Sequence, residues 1–203
     1  MFNQRTVDNL AYCEIVDKIV EINNHVKNFW SRAQGWAPLE AAELLTKSRL
    51  DWLSSLSNSL YKWENEPISG AEEGDLILAW ANLGALVEGT MKLFLSVYYN
   101  DYKSDINAIV QRKKTVDPDG AMFNGLREFF YRSVWLDEER EEKNDWLVKI
   151  QSKRNAIHAY KDRDISKFST YRKEVKNYLI FLIDILKRVP YPDDHFGPDL
   201  SII

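Results

Sequence analysis

The sequence predicts an all-α protein, a bundle of five or six helices. Three observations carry this. Apolar residues recur three or four apart through every long segment, no stretch alternates apolar and polar with the period of a strand, and all six prolines fall between the periodic segments or after the last of them. With 203 residues and 45% hydrophobic composition the chain can bury one sizeable core. Residues 1–189 therefore read as a single helical domain, in which 1–66 form an N-terminal helical pair and 67–189 a second, more elaborate part. Residues 190–203 read as a proline-rich tail that cannot continue a helix.

From Thr6 to Trp30 the apolar positions Val7, Leu10, Ile15, Ile19, Ile22, Val26 and Phe29 mark one amphipathic helix, which Gly35 and Pro38 interrupt. A second helix spans Leu39 to Trp63, its stripe running through one polar slot at Arg49. Acidic Glu72, Glu73 and Asp75 suit the start of a third helix, Glu72 to Tyr102. Its apolar stripe is too wide for an exposed helix, so it is the expected spine of the core. Gly84 and Gly89 within it mark close helix packing, since each costs about 1 kcal/mol against Ala in a helix interior. Arg112, Lys113 and Lys114 then read as a helix end, followed by a turn at Pro118, Asp119 and Gly120. Phe123, Leu126, Phe129, Phe130, Val134 and Trp135 give a short aromatic helix of core type. The acidic run Asp137 to Glu142 opens the next helix, in which Trp146, Leu147, Ile150, Ala156 and Ile157 face the core. Asp162 or Asp164 is placed to cap a last helix carrying Phe168, Tyr171, Val175, Tyr178, Leu182 and Ile185.

Composition narrows the function. Charged residues make up 29% and the net charge is -4, so the totals do not describe a nucleic-acid-coating protein, and any RNA site has to be local. The one cysteine, Cys13, excludes an intramolecular disulfide and a cysteine-rich metal site, and fits a reducing cytoplasm. The polar opening residues and the short apolar run Leu76 to Val87 predict neither a signal peptide nor a membrane span. No glycine-rich phosphate loop and no metal-ligand spacing is present, so no cofactor and no metal is expected. His25 and His195 are assigned no role.

Chemistry concentrates at Arg154, Asn155 and His158. On a continuing α-helix Arg154 and His158 lie on one face with Asn155 beside them. A planar cation, an amide and a titratable imidazole together suit a phosphate. Lys153 and Tyr160 flank them as candidate substrate-binding groups. The triplet Arg112, Lys113, Lys114 is either a contact for an RNA backbone or a helix terminus stabilised by cations. Glu88 is either a solvated edge residue of the third helix or the acidic partner of Arg154. Asp162 either caps the last helix or orients His158.

The run Arg154-Asn155-Ala156-Ile157-His158 resembles the signature of the HEPN superfamily, all-helical domains found in many ribonucleases of bacterial defence and toxin systems. In that family Arg and His are separated by four to six residues. Here three intervene, and counting from Lys153 restores four at the expense of the Arg. The resemblance implies metal-independent RNA cleavage, with the ribose 2′-OH attacking the adjacent phosphate, His158 moving a proton and Arg154 holding the phosphorane charge. It implies a homodimer that builds the site from both subunits, and RNA as substrate. His158 and Tyr160 also match the His-x-Tyr ending of HEPN toxins whose Tyr is modified by a partner nucleotidyltransferase, which makes such an antitoxin a candidate partner. The alternative that the same resemblance implies is an inactive HEPN-like module that binds nucleotide, RNA or another protein.

Overall fold

A computed structural model describes residues 7, 9–65, 67, 70–158 and 160–201. Among these the protein is all-α. Eight helices follow in order: α1 Tyr12–Trp30, α2 Leu39–Lys47, α3 Leu50–Asn58, α4 Glu72–Val97, α5 Tyr99–Ser104, α6 Phe123–Phe129, α7 Asp137–Arg154 and α8 Phe168–Lys187. A two-residue hairpin, Val110–Gln111 paired with Lys114–Thr115, is the strand structure among the described residues. Thr6 and Asp8 of the expected first helix and Ala159 of the motif lie outside them, and the helix itself begins at Tyr12, after an extended Ala11.

The count exceeds five or six because two expected helices are broken. The segment from Leu39 to Trp63 divides into α2, α3 and a 3-10 turn at Ser59–Trp63. At the first break Ser48 turns extended (ψ 140°), and its hydroxyl donates to the Leu44 carbonyl at 2.8 Å, which closes α2. The expected helix to Tyr102 stops at Val97, because Tyr98 leaves helical geometry (ψ 36°) while its hydroxyl reaches the Arg188 carbonyl. The aromatic segment also has two parts, α6 and a π-helical turn Phe130–Val134. Arg112 and Lys113 do not end a helix. They form the two-residue tip of the hairpin with φ of 51° and 65°, the left-handed pair that this turn geometry demands.

The long helix α4 is the centre of the molecule. Helices α2, α3, α7 and α8 all pack on it, while α1 closes the bundle against α3 and α8. Leu76, Trp80, Leu83, Leu86, Val87 and Met91 are buried along it. By length and composition α4 is apolar enough to cross a membrane, but most of its apolar window is enclosed by the bundle, as expected of a core helix.

A polar thread runs through this core. The Asn23 amide donates to Ser57 Oγ at 2.7 Å, and the Tyr178 hydroxyl lies 3.1 Å from Thr90 Oγ1, which joins α1 to α3 and α8 to α4. Buried donors and acceptors are costly unless paired, so these bonds fix the helix registers. Helix α7 is fastened to α8 in the same manner. Buried Glu174 accepts from Trp146 Nε1 at 2.8 Å and from Lys149, and Lys143 pairs with Asp184 at 2.6 Å. The tail returns to α1, where Tyr191 and Phe196 pack around Phe29 and His25 Nε2 lies 2.7 Å from the Phe196 carbonyl.

Burial pushes the Tyr178 hydroxyl up to about 12. A group whose proton is held more tightly in the folded state stabilises fully below its unfolded value, about 10 for Tyr, and loses that contribution as pH rises toward 12. Tyr178→Phe is therefore expected to cost about 1 kcal/mol near neutrality through its lost hydrogen bonds. The stability difference from wild type should then close between about pH 10 and 12. Denaturant unfolding at a series of pH values checks this, and a gap that stays constant would show that the hydroxyl does not titrate with folding.

Candidate functional site

The last residue of α7, Arg154, is laid across the middle of α4. A Cβ placed on Gly84 would meet Arg154 Cβ and Cγ at 2.6 Å and Cδ at 2.7 Å, so the absence of a side chain at Gly84 makes the crossing possible. The guanidinium continues one turn along α4 to Glu88, with Nη2 2.8 Å from Oε2, and lies 5.5 Å from the centre of the Phe123 ring. Glu88 Oε1 in turn holds Lys92 Nζ at 2.8 Å, and Lys92 also donates to the Asp119 carbonyl at 3.0 Å. The Arg154 side chain is 31% exposed and that of Glu88 15%. This half-buried chain of charges is screened less than a surface pair, and a cation over an aromatic face adds to it.

Beside it lies a cleft of about 440 Å³ between α2, α3 and α4. Its interior is largely apolar, with Leu45, Leu50, Leu53 and Leu93. Glu88 and Lys92 of α4, Arg154 at the end of α7 and Asp119 contribute charged groups to its lining, and Arg49 and Trp52 line it at the start of α3. Arg49 makes a two-pronged bond to Asp51, Nε to Oδ1 at 2.9 Å and Nη2 to Oδ2 at 2.6 Å, and holds that carboxyl down at about 2. The Arg49 guanidinium sits 3.9 Å over the Trp52 ring.

Of the expected site residues the cleft unites Arg154 and Glu88. The others are elsewhere. Residues Asn155–His158 form a 3-10 turn, so the α-helical face expected to carry both Arg154 and His158 does not continue. A 3-10 residue advances about 120° against 100° in an α-helix, and over four residues the difference sums to roughly 80°. His158 is consequently exposed and outside the cleft lining, and Asn155 is half-buried at the C-cap of α7. Ile157, expected to face the core, is 43% exposed for the same reason. Tyr160 is fully exposed, and its N–H donates to the His158 carbonyl.

Lys153 points away from the cleft and is 7% exposed. Its ammonium is held by Asp164 Oδ2 at 2.7 Å, Ser166 Oγ at 2.7 Å and the Asp164 carbonyl. Lys153 is thus a clamp on the loop after the motif and is not free to bind substrate. The contact holds the Asp164 carboxyl below its usual range. Neither Asp164 nor Asp162 caps α8, whose N-cap position is taken by Lys167 without a side-chain bond. Asp164 is drawn instead to Lys153 and to the Ser166 N–H at 2.8 Å, while Asp162 is exposed and makes no hydrogen bond among the described residues. Arg112, Lys113 and Lys114 are exposed at the hairpin, outside the cleft.

Lys92, Phe123, Arg49 and Trp52 were not among the expected site residues. Lys92 had a signal, since it follows Glu88 by four residues on one helix face. Arg49 had one too, as a charge interrupting an apolar stripe. Among the described residues no group of three or more His, Cys, Asp and Glu is arranged to hold a metal. Comparisons with protein-family models, with curated proteins and with solved structures gave no match for the chain.

The crossing at Gly84 is directly testable. Gly84→Ala gains helix propensity of about 1 kcal/mol but forces α7 away from α4, and overpacking of this kind costs about 1–3 kcal/mol. A net fall in melting temperature of a few degrees is expected. Gly74→Ala, whose Cβ meets open space on the same helix, should be neutral or stabilising. Equal melting temperatures for the two variants would mean that the close approach is not a constraint.

Proposed function

We propose that the chain is a HEPN-like domain that binds the phosphate of single-stranded RNA at the Arg154 cleft and, as a two-fold dimer, cleaves that RNA without a divalent metal. The observation that carries this reading is the Arg154 guanidinium, supported from below at Gly84, flanked by Phe123 and turned onto the Glu88 carboxylate at the edge of a cleft. A guanidinium engaging a carboxylate offers the donors that fit a phosphate as well. Lys92, on the same carboxylate, supplies a second cation.

In the proposed reaction the ribose 2′-oxygen attacks the adjacent phosphorus as its proton leaves, and the bond from phosphorus to the 5′-oxygen breaks. That oxygen takes up a proton. The products are a 2′,3′-cyclic phosphate and a 5′-hydroxyl. His158 moves a proton, and Arg154 neutralises the phosphorane. Because the 3-10 turn directs His158 away from the Arg154 of its own chain, we assign the proton transfer to His158 of the partner subunit. The setting we infer is a bacterial toxin or phage-defence system in the cytoplasm, in which a nucleotidyltransferase that modifies exposed Tyr160 would silence the site by adding negative charge.

A second reading, an inactive module that binds RNA or nucleotide at the same cleft, is favoured by two observations: Arg154 is already engaged by Glu88, and His158 lies outside the cleft. One experiment separates the two. Purified protein is incubated with end-labelled single-stranded RNA in excess chelator, beside Arg154→Ala, His158→Ala and the double variant. The ribonuclease reading expects His158→Ala to lose about 10²–10⁴-fold in rate, Arg154→Lys to rescue poorly, and sedimentation to show a dimer. Cleavage by the double variant at the wild-type rate, or a monomer that cleaves, contradicts it. Binding that needs Arg154 without cleavage by any form selects the second reading. In both, Glu88→Gln is expected to tighten RNA binding several-fold, because a competing carboxylate is gone.

A further inference from the structure

We propose that the cleft beside Arg154 is a base-binding subsite for single-stranded RNA, with the stacked pair Arg49 and Trp52 as its platform. The inference rests on the reading of Arg154 as the phosphate ligand and adds what the neighbouring nucleoside does.

The first argument is the position of Trp52. Helix α3 buries Leu50, Leu53, Ser54 and Ser57, which leaves Trp52 on the opposite face at 58% exposure. An indole is a large, mostly apolar group to leave in water, and here it lines the cleft beside Arg154. It is also held in place. Asp51 fixes the Arg49 guanidinium with two bonds, and that guanidinium lies 3.9 Å over the ring. The two flat groups lie one over the other in a partly exposed position, the Arg49 and Asp51 side chains being 54% and 55% exposed, and both indole rings and guanidinium planes are surfaces on which unpaired bases stack.

The second argument is the distribution of polarity. Lys92 and Arg154, the two cations on Glu88, line the cleft together with Asp119, and most of the remaining lining apart from Arg49 and Trp52 is leucine, alanine, glycine and serine. A nucleotide has the same division, an anionic group at one end and a flat apolar face at the other. The volume of about 440 Å³ falls within the range of small-molecule sites. A free phosphate or a purely anionic ligand would make no use of the leucines or of Trp52. An aliphatic ligand would make no use of the cations.

Fluorescence polarisation with two labelled probes of equal length tests the proposal: a single-stranded RNA carrying non-cleavable 2′-O-methyl groups, and an abasic oligomer with the same phosphates. Trp52→Ala is expected to weaken the RNA about tenfold and to leave the abasic probe unchanged, with Trp52→Phe restoring most of the loss and Trp52→Leu little. Arg154→Ala should weaken both probes. If Arg154→Ala weakens both but Trp52→Ala weakens neither, or weakens both equally, the base subsite is wrong and the phosphate reading stands. If Arg154→Ala weakens neither, the phosphate reading fails and the subsite falls with it. Loss of the dimer in Trp52→Ala, seen by sedimentation, would make Trp52 an interface between copies and overturn the proposal.

Discussion

The placement of Arg154 over Gly84, ending on Glu88, is the contact on which the rest of the site depends. A long side chain can cross a buried helix at its backbone only where that helix has no Cβ, and Gly84 is such a point. Once the stem lies there, the guanidinium reaches one turn further to Glu88, and the end of α7 is fixed in register against α4. The neighbouring residue, about 100° around the helix, is thereby directed elsewhere. Lys153 enters a separate polar nest with Asp164 and Ser166, where it holds the loop that follows the motif. Two adjacent cations thus have different tasks, one at a cleft and one in a clamp.

The bundle makes this arrangement affordable by its use of α4. The same helix supplies the apolar centre of the core and, through Ala85, Glu88, Gly89 and Lys92, one wall of the cleft. A charge so near a core is tolerated only when paired. Glu88 is paired twice, with Arg154 and with Lys92. On the proposed reading this pairing is also what an RNA phosphate must replace, so the carboxylate that keeps two cations ordered in the free protein also competes with the ligand.

Much of the fold was legible because burial repeats at the helical period. The stripe on the segment that becomes α8 coincides with buried residues, that of α1 does so from Ile15 to Val26 while Phe29 is half-buried and Trp30 takes the core position, and the excess width of the α4 stripe marked it as the spine. The breaks were not legible, since periodicity is blind to one residue leaving helical geometry. Ser48 and Tyr98 interrupt helices without disturbing the spacing of the leucines around them. The basic triplet was misread for a related reason: Arg112 and Lys113 adopt left-handed angles that neither residue advertises. Gly84 and Glu88 were readable as a packing glycine and a misplaced carboxylate. Of the two surroundings open to Glu88, a solvated edge or a pairing with Arg154, the structure has the pairing, and the choice depended on the docking of α7, which no local pattern encodes. The four-residue spacing of Arg154 and His158 implied a shared face only on the assumption of α-helical geometry, and the chain tightens to a 3-10 turn between them. Arg49 stood out only as a charge interrupting an apolar stripe and Trp52 not at all, because their meaning comes from a cleft formed with a helix some forty residues away.

Nuclear magnetic resonance of the arginine side chains reads whether Arg154 exchanges Glu88 for an RNA phosphate, as proposed. The Arg154 Nε and Nη signals, assigned by their loss in Arg154→Lys, would be followed while a non-cleavable single-stranded RNA is added to saturation. A large, saturable change at Arg154, with the same midpoint as the shift of the Glu88 carboxylate carbon, is the expected result. Saturation of the RNA signal while the Arg154 and Glu88 signals stay at their free positions would contradict the account, because the ion pair would then be a fixed structural element and the RNA would bind elsewhere.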